Sequence, residues 1–192
     1  TGGNIRIVAG GIHSGSSSAA FNVNTAGTLT FEPFSTSFIS AVTFPATAST
    51  TTVGNLIVGA SGNTADLTVG AAVTSSSEVT YRGGSITVSG NVSSTNGSIS
   101  FLSTGASKTF SKTSATITAA QDITISSAAS TVDTGTGAIS AATVRLSSSG
   151  NMTSGAPITS RGLVDISSSA GNTTLSGTTL AAGELNVVGG AV

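Results

Sequence analysis

Seven carboxylates are the side chains of this chain that could act as paired acids and bases. They are spread along the sequence as Glu32, Asp66, Glu78, Asp122, Asp133, Asp165 and Glu184. Glycoside hydrolysis needs two carboxyl groups about 5 to 9.5 Å apart across a sugar-binding cleft. Sugar clefts also favour aromatic platforms, but Trp is absent and Tyr81 is the one tyrosine. We therefore expect the chain not to be an enzyme.

Nucleophilic and metal chemistry have equally few candidates. His13 is the sole histidine, so any Ser-His-Asp triad would have to use it. We interpret His13 as a solvated loop residue, because a nearby serine carries no information in so serine-rich a chain. Cysteine is absent, which excludes thiolate ligands and disulfides. The segment Asp133-Thr134-Gly135-Thr136-Gly137 offers one carboxylate where calcium needs several oxygens, so we expect a turn there and no cofactor.

Composition predicts an all-β chain. Only 7% of the 192 residues are charged, where about 25% is ordinary. Ser and Thr, roughly a third of the sequence, compete with the helical backbone for hydrogen bonds. Thr, Val and Ile favour strands, and the 25 glycines favour turns. The net charge of −1 without a basic run excludes nucleic acid as a partner, and no apolar window is long enough for membrane insertion.

One short unit recurs along the chain, an apolar residue on each side of a variable one. Successive units begin about 20 to 24 residues apart, which is the range of solenoid repeats. A strand points alternate side chains to opposite faces, so the two apolar members should point inward. The units are Leu56-Ile57-Val58, Val79-Thr80-Tyr81, Ile99-Ser100-Phe101, Ile123-Thr124-Ile125, Val144-Arg145-Leu146, Val164-Asp165-Ile166 and Leu185-Asn186-Val187.

Weaker apolar signals lie between these units and predict the other faces of each coil. They are Leu67 and Val69, Ile86 and Val88, Ile117, Ile139, Met152, Ile158 and Leu175. Gly and Asn mark the corners, where positive φ is tolerated. About nine coils with a strand spacing of about 4.8 Å would form a rod roughly 40 Å long.

Stacking the coils in this register also predicts an outward column on one face. Arg145 and Asp165 would be neighbours in that column, and an exposed ion pair of this kind contributes about 0 to 1 kcal/mol. Asp122 would share a second outward column with Thr143. The full outward column is Thr80, Ser100, Thr124, Arg145, Asp165 and Asn186.

The segment 21–45 departs from the repeat and is rich in phenylalanine. It is predicted to be an irregular loop or hairpin that packs over one side of the solenoid. The alternative is an interface for another chain, because clustered aromatics that stay exposed mark contact patches. Besides Phe21, the phenylalanines of this segment, which are the candidate interface residues, are Phe31, Phe34, Phe38 and Phe44.

Two stretches of the chain resemble coils of filamentous haemagglutinin-like exoproteins, the large secreted β-helical adhesins of bacteria. They are Gly84-Ser85-Ile86-Thr87-Val88-Ser89-Gly90-Asn91-Val92 and Ala119-Ala120-Gln121-Asp122-Ile123-Thr124-Ile125. The likeness extends over residues from about 55 to 192. It implies a right-handed triangular β-helix, secreted by the two-partner or autotransporter route of Gram-negative bacteria, that acts in attachment or filament building.

The chain departs from that family in two ways. The amino-terminal secretion domain with its Asn-Pro-Asn-Leu motif is not in this sequence, so the family likeness implies a shaft region. The integrin-binding tripeptide is also missing, because Gly162 and Leu163 follow Arg161.

The sequence thus predicts one right-handed parallel β-helix over residues 1–192, as an extracellular structural or adhesive shaft. Expected partners are further copies or neighbouring repeats of the chain, with host-surface or glycan contact as an additional expectation. Two alternatives remain open. Thr28-Leu29-Thr30 and Thr116-Ile117-Thr118 have the spelling of ice-binding ladders, and other β-helices bind or process polysaccharides.

Overall fold

A computed structural model describes residues 2–10, 22–46, 49–128, 130–176, 180–181 and 183–189 of the chain. These residues form an all-β parallel solenoid of about eight turns, one fewer than the sequence predicts. Every described strand pairs in parallel with strands of the neighbouring coils. The predicted fold class is therefore confirmed, while the right-handed winding stays a prediction from the family resemblance.

The strands are short, and most contain two to six residues. In chain order they are β1 (Ile5–Ala9), β2 (Val23–Pro33), β3 (Val42–Thr43), β4 (Thr51–Val58), β5 (Leu67–Val69), β6 (Val73–Ser75), β7 (Val79–Gly83), β8 (Ile86–Val88), β9 (Val92–Ser94), β10 (Ile99–Ser103), β11 (Phe110–Lys112), β12 (Ile117–Ala119), β13 (Asp122–Ser127), β14 (Val132–Asp133), β15 (Ile139–Ala141), β16 (Thr143–Ser148), β17 (Met152–Ser154), β18 (Ile158–Ser160), β19 (Leu163–Ser168), β20 (Thr173–Leu175), β21 (Leu180–Ala181) and β22 (Glu184–Val188).

The strands stack into three faces. The first face contains β6, β9, β12, β15, β18 and β21, the second β7, β10, β13, β16, β19 and β22, and the third β3, β5, β8, β11, β14, β17 and β20. The two long strands β2 and β4 extend across the first and second faces. Residues 51–53 of β4 pair with β6, and residues 56–58 pair with β7. The first two faces therefore belong to one sheet, and the third face forms a separate one.

The interior is filled by columns of apolar side chains. On the second face, both apolar members of each unit from Leu56 to Ile166 are buried, as the repeat predicts. The weaker signals occupy the first and third faces and are also buried, except Leu175, which is partly buried. Since one buried aliphatic or aromatic side chain contributes about 1.5 to 3 kcal/mol, these columns are the main source of stability.

Buried serines at the corners link each coil to the one before it. The hydroxyl of Ser75 donates to the carbonyl of Gly54 at 2.7 Å, and that of Ser103 donates to Gly84 at 2.6 Å. Ser168 likewise donates to Gly150 at 2.6 Å and accepts from the amide of Gly171 at 3.0 Å. These contacts satisfy polar groups that would otherwise be costly to bury at the turns.

The phenylalanine-rich segment is more regular than the sequence predicts. Residues 23–33 form β2 and residues 42–43 form β3, so both contribute strands to the stacked sheets. The irregular part is the loop at 34–41. β2 joins the sheet because its alternate residues, including Leu29 and Phe31, extend the inward columns of the following coils.

Candidate functional site

Three of the four candidate interface phenylalanines lie in the core. Phe31 points inward, and its ring lies 4.9 Å from that of Phe38 and 5.1 Å from that of Phe44. All three are at most 4% exposed, so they do not form an outward contact patch. Phe34 is the exception at 65% exposure. The position of Phe21, like that of His13, lies outside the described residues.

A second residue of loop 34–41 is exposed as well, the aliphatic Ile39. Ile39 is 77% exposed, and its amide donates to the carbonyl of Gly10 at 2.6 Å. Its aromatic ring makes Phe34 a candidate contact residue from the sequence, whereas Ile39 has no such signal. Together the two form a small apolar patch on loop 34–41.

A buried asparagine holds that loop against the solenoid. Asn63 is fully buried, and its Oδ1 accepts from the amides of Phe38 and Ala65, both at 3.2 Å, and from the hydroxyl of Ser37 at 2.9 Å. Its Nδ2 donates to the carbonyl of Arg82 at 2.9 Å. The asparagine therefore joins loop 34–41, its own turn and the next coil. The sequence offers no signal that distinguishes it from the exposed turn asparagines.

Most of the carboxylates are engaged in contacts at turns or between coils. Glu32 pairs with Arg6, and Asp66 accepts from Lys108 Nζ at 2.8 Å. Partial desolvation raises the pKa of Asp66, but the hydrogen bond and charge of Lys108 and the hydrogen bond from the amide of Ser85 together outweigh it, so the net pKa is lowered.

The remaining described carboxylates do not form a metal-binding cluster. Asp133 accepts from the amide of Gly135 at 2.9 Å, as expected for a turn. Asp122 lies beside Thr143, which confirms the predicted column. Among the described residues, no three His, Cys, Asp or Glu side chains are grouped so that they could hold a metal ion.

The predicted outward column of the second face is present in the predicted register. Arg145 and Asp165 are adjacent partners in that column, on the same face. The ion pairs of the described residues, however, are Arg6–Glu32 and Lys108–Asp66, so Arg145 and Asp165 are adjacent without forming one. Asp165 instead accepts from Asn186 Nδ2 at 2.9 Å. The hydrogen-bond partner of Asp165 thus comes from the following coil and not, as expected, from Arg145 of the preceding coil.

The first face carries an outward column of hydroxyls through six consecutive coils. Each residue of this column pairs with the next one in the strand register, and all six side chains are exposed or half-buried. The repeat units do not predict this column, although the hydroxyl-bearing residue directly after each of Ile117, Ile139 and Ile158 was a usable signal. The column, called the first-face ladder below, consists of Thr52, Thr74, Ser93, Thr118, Ser140 and Thr159.

The corresponding columns of the other two faces are interrupted. The third face has Thr43, Thr68, Thr87, Ser111, Thr153 and Thr174, with Asp133 between Ser111 and Thr153. The second-face column is interrupted by Ile57, Arg145 and Asp165. The first-face column continues to Asn24 at one end and to Ala181 at the other, and the six hydroxyl-bearing residues between them form a longer unbroken run than either of the other two columns contains.

A lysine lies inside the solenoid, at a position that the apolar repeat does not predict. Lys112 follows Phe110 by two residues on β11, so the alternation of the strand points it inward, and it is 2% exposed. Its ammonium group donates to the carbonyl of Ala115 at 3.0 Å and to that of Gly137. Burial lowers the pKa of Lys112 to about 8, and the nearby Asp133 carboxylate partly opposes this shift.

We expect the stability of the protein to rise with pH above about 8. Because the folded pKa of Lys112 is depressed, the unfolded chain holds more protons than the folded chain between pH 8 and the usual lysine pKa of about 10.4. The free energy of unfolding should therefore increase by about 1 to 2 kcal/mol between pH 7 and 9.5. Urea unfolding followed by circular dichroism across this range would measure it.

Two variants test whether Lys112 causes the rise in stability. The variant Lys112→Met should show no rise, whereas Lys108→Met should retain it. Burial raises the pKa of Tyr81, so the folded state keeps a proton that the unfolded state loses above about pH 10. Tyr81 therefore reduces stability above that pH. A flat profile below pH 9.5 in the unaltered chain would contradict the prediction.

The described residues contain no helix that could cross a membrane. No protein-family model, no curated protein and no solved structure matches this chain. The geometry of the described residues establishes the fold, a parallel β-solenoid of about eight turns. Its most regular outward feature is the first-face ladder.

Proposed function

We propose that this chain is a non-enzymatic extracellular protein, the shaft of a bacterial cell-surface adhesin or filament. The observation that carries the proposal is the continuous parallel stacking of the described coils, with apolar columns inside and largely hydroxyl-bearing columns outside. Each coil of such a solenoid makes its main contacts with its neighbours, so the molecule extends in one dimension. The likeness of residues 84–92 and 119–125 to filamentous haemagglutinin-like coils supports the same function.

A shaft functions by keeping the segments at its two ends apart. With a strand spacing of about 4.8 Å, eight turns hold their two ends roughly 40 Å apart. The nearly neutral, hydroxyl-rich exterior keeps the rod hydrated with few charges. Attachment to a host surface or a glycan would then belong to the faces or to segments that the shaft carries.

The proposal includes end-to-end association, supported by the two outermost described strands of the second face. On β22, Leu185 is 50% exposed and Val187 is 42% exposed, although they continue the inward columns of Val164 and Ile166. β1 occupies the same columns at the opposite end, where Ile5 is 37% exposed. A second copy could pair its β1 with β22, because each of these strands pairs with one described strand and has a second edge that no other described strand covers.

Analytical ultracentrifugation and electron microscopy would test this association. The unaltered chain should sediment faster as its concentration rises and should form fibres with a repeat of about 4.8 Å. Leu185→Lys places a charge in the contact and should abolish the concentration dependence, whereas Thr159→Lys on the first-face ladder should leave it unchanged. Short particles of constant size at every concentration would contradict end-to-end association.

The extracellular location needs its own test. Antibodies raised against the folded chain should label intact source cells without permeabilisation, and mild external protease should remove that label. Labelling that requires permeabilised cells would contradict the proposed location while leaving the fold unaffected.

The first-face ladder favours ice binding as a second candidate function. It presents one exposed or half-buried hydroxyl per coil at the regular strand spacing of about 4.8 Å. If it binds ice, the chain should slow ice recrystallisation, and Thr118→Lys in the middle of the ladder should remove that activity. Ser126→Lys on the second face is the matched control and should retain it. Recrystallisation at the rate of buffer with the unaltered chain would eliminate this candidate.

A further inference from the structure

Four side-chain hydrogen bonds of the described residues skip a coil of the solenoid. Coils of a solenoid contact mainly their immediate neighbours. In these four bonds the partners are 37 to 42 residues apart, so each bond reaches past one whole coil. They join Tyr81 to Phe44, Thr104 to Asn63, Lys108 to Asp66 and Arg161 to Ala120.

The first of these bonds runs through the interior. The side chain of Tyr81 is fully buried, and its hydroxyl donates to the carbonyl of Phe44 at 3.1 Å. Phe44 follows β3, whereas Tyr81 lies on β7, which precedes β8. The third face stacks β3, β5 and β8 in that order. The bond therefore joins the coil of β3 to the coil of β8 and passes the coil of β5.

The second and third bonds start from one loop, which connects β10 to β11. The hydroxyl of Thr104 lies within hydrogen-bond distance of two carbonyls, 2.9 Å from that of Asn63 and 3.0 Å from that of Gly83. Lys108 Nζ donates to Asp66 Oδ1 at 2.8 Å. Asn63 and Asp66 precede β5, so both bonds join the coil of β11 to the coil of β5 and pass the coil of β8.

The same loop has a backbone conformation that is uncommon outside glycine. Ser107 has a φ of +60° and is the one non-glycine residue with a positive φ in the described part of the chain. Such a conformation persists where surrounding contacts hold it. In the coil that the loop passes, a side chain at Gly84 would come within 2.5 Å of the Asp66 Oδ1 that Lys108 binds, so the glycine leaves this path open.

The skipping bonds overlap along the rod. The Tyr81 bond spans the coils from β3 to β8, and the Thr104 and Lys108 bonds span those from β5 to β11. Each junction between neighbouring coils from β3 to β11 is therefore crossed by at least one of them. None of the four crosses the junction of β11 with β14. The remaining bond, from Arg161 to Ala120, lies beyond that junction and is exposed.

We propose that these overlapping bonds fasten residues 42–112 into one cooperative unit, the four-coil unit. No junction inside the unit can open without also breaking a bond to the coil beyond the neighbour. A rod that frays from its carboxy-terminal end should then open coil by coil only as far as the junction of β11 with β14. The inference rests on the fold and holds whichever function the rod performs.

Native-state hydrogen exchange can read each junction separately. On the third face, the first amide of a strand donates to a carbonyl of the following coil, so its exchange reports the opening of that junction. The reporters inside the unit are Val42, Leu67 and Ile86, and the equivalent reporters beyond it are Phe110, Val132 and Met152.

In the unaltered chain, the three inner amides should share one protection factor, within about 3-fold, and one urea dependence. Protection should decrease stepwise along the three outer amides. The triple variant Tyr81→Phe, Thr104→Val, Lys108→Met should separate the inner amides. Exchange of Ile86, the inner reporter nearest to the fraying end, should rise about 10-fold, because each lost hydrogen bond typically contributes about 2- to 12-fold.

Arg145→Met is the matched control, because it removes an outward cation that takes part in no skipping bond. All six amides should exchange in this variant as they do in the unaltered chain. If the triple variant does not fold, Tyr81→Phe alone and the pair Thr104→Val, Lys108→Met replace it, and each should separate the inner amides.

Three results would overturn the proposal. The first is a stepwise decrease of protection from Val42 to Ile86 in the unaltered chain, since these coils would then open singly. The second is shared exchange of the inner amides in the folded variants, since apolar packing would then suffice to couple the coils. The third is an equal rise at all six amides, which would show a loss of overall stability and no separate unit.

Discussion

Replacing Ile123 with aspartate is expected to abolish cooperative folding, whereas the same replacement at the adjacent Thr124 is expected to be nearly neutral. Ile123 is fully buried between Ile99 and Val144 of the neighbouring coils. An unpaired carboxylate there would cost more than about 4 kcal/mol, a large part of the stability of a domain. Thr124 points outward beside Arg145, so a carboxylate there stays hydrated and meets an opposite charge.

Urea unfolding followed by far-ultraviolet circular dichroism measures this contrast. Thr124→Asp should keep the midpoint of the unaltered chain within the change of about 0.5 kcal/mol that is usual for surface substitutions. Ile123→Asp should show no native baseline. Equal destabilisation by both variants would show that the inward and outward assignment of β13 is wrong.

Asn63→Ala is expected to destabilise the amino-terminal half of the rod by about 2 to 4 kcal/mol, because several buried polar groups lose their partner together. The amides of Phe38 and Ala65 and the carbonyl of Arg82 would each be left without their contact to this side chain. Loop 34–41 should lose its attachment first, since two of its residues bond to Asn63 Oδ1.

Hydrogen–deuterium exchange would resolve where the effect falls. Residues 34–41 should exchange faster in Asn63→Ala, with residues beyond about 120 unchanged, because solenoid coils interact mainly with their neighbours. Asn96→Ala is the matched control. Asn96 lies on an exposed turn, where its side chain donates to the carbonyl of Ser76 at 3.0 Å. Removing this side chain should cost well under about 1 kcal/mol, because only one exposed hydrogen bond is lost. Equal effects of the two variants would contradict the role assigned to Asn63.

The departures from the sequence prediction arise where alternation and composition do not decide the outcome. Clustered phenylalanines indicated an excursion, yet Phe31 continues an inward column because β2 pairs with β4 in the coil register. Phe38 and Phe44 then reach the same interior from the loop and the third face. Whether an aromatic side chain is exposed depends on which strand lies beside it, and that is a tertiary property.

The corner serines and the first-face ladder show a different limitation. Ser and Thr make up roughly a third of the chain, so their identity alone does not separate a buried hydroxyl that bonds the preceding coil from one that faces solvent. Ser75 is buried and Thr74 beside it is exposed. Only the path of the chain through each corner distinguishes the two environments.

By itself the sequence determined the class of fold, the strands of the second face and their register, because alternating apolar residues at a repeat of about 20 to 24 can be buried together only by stacking. Tertiary structure decided which polar groups enter the interior. Lys112 and Asn63 can be buried because carbonyls and amides of their own turns and of neighbouring coils converge on them. The partners Gly137, Phe38 and Arg82 are distant in sequence, so no local pattern encodes this compensation.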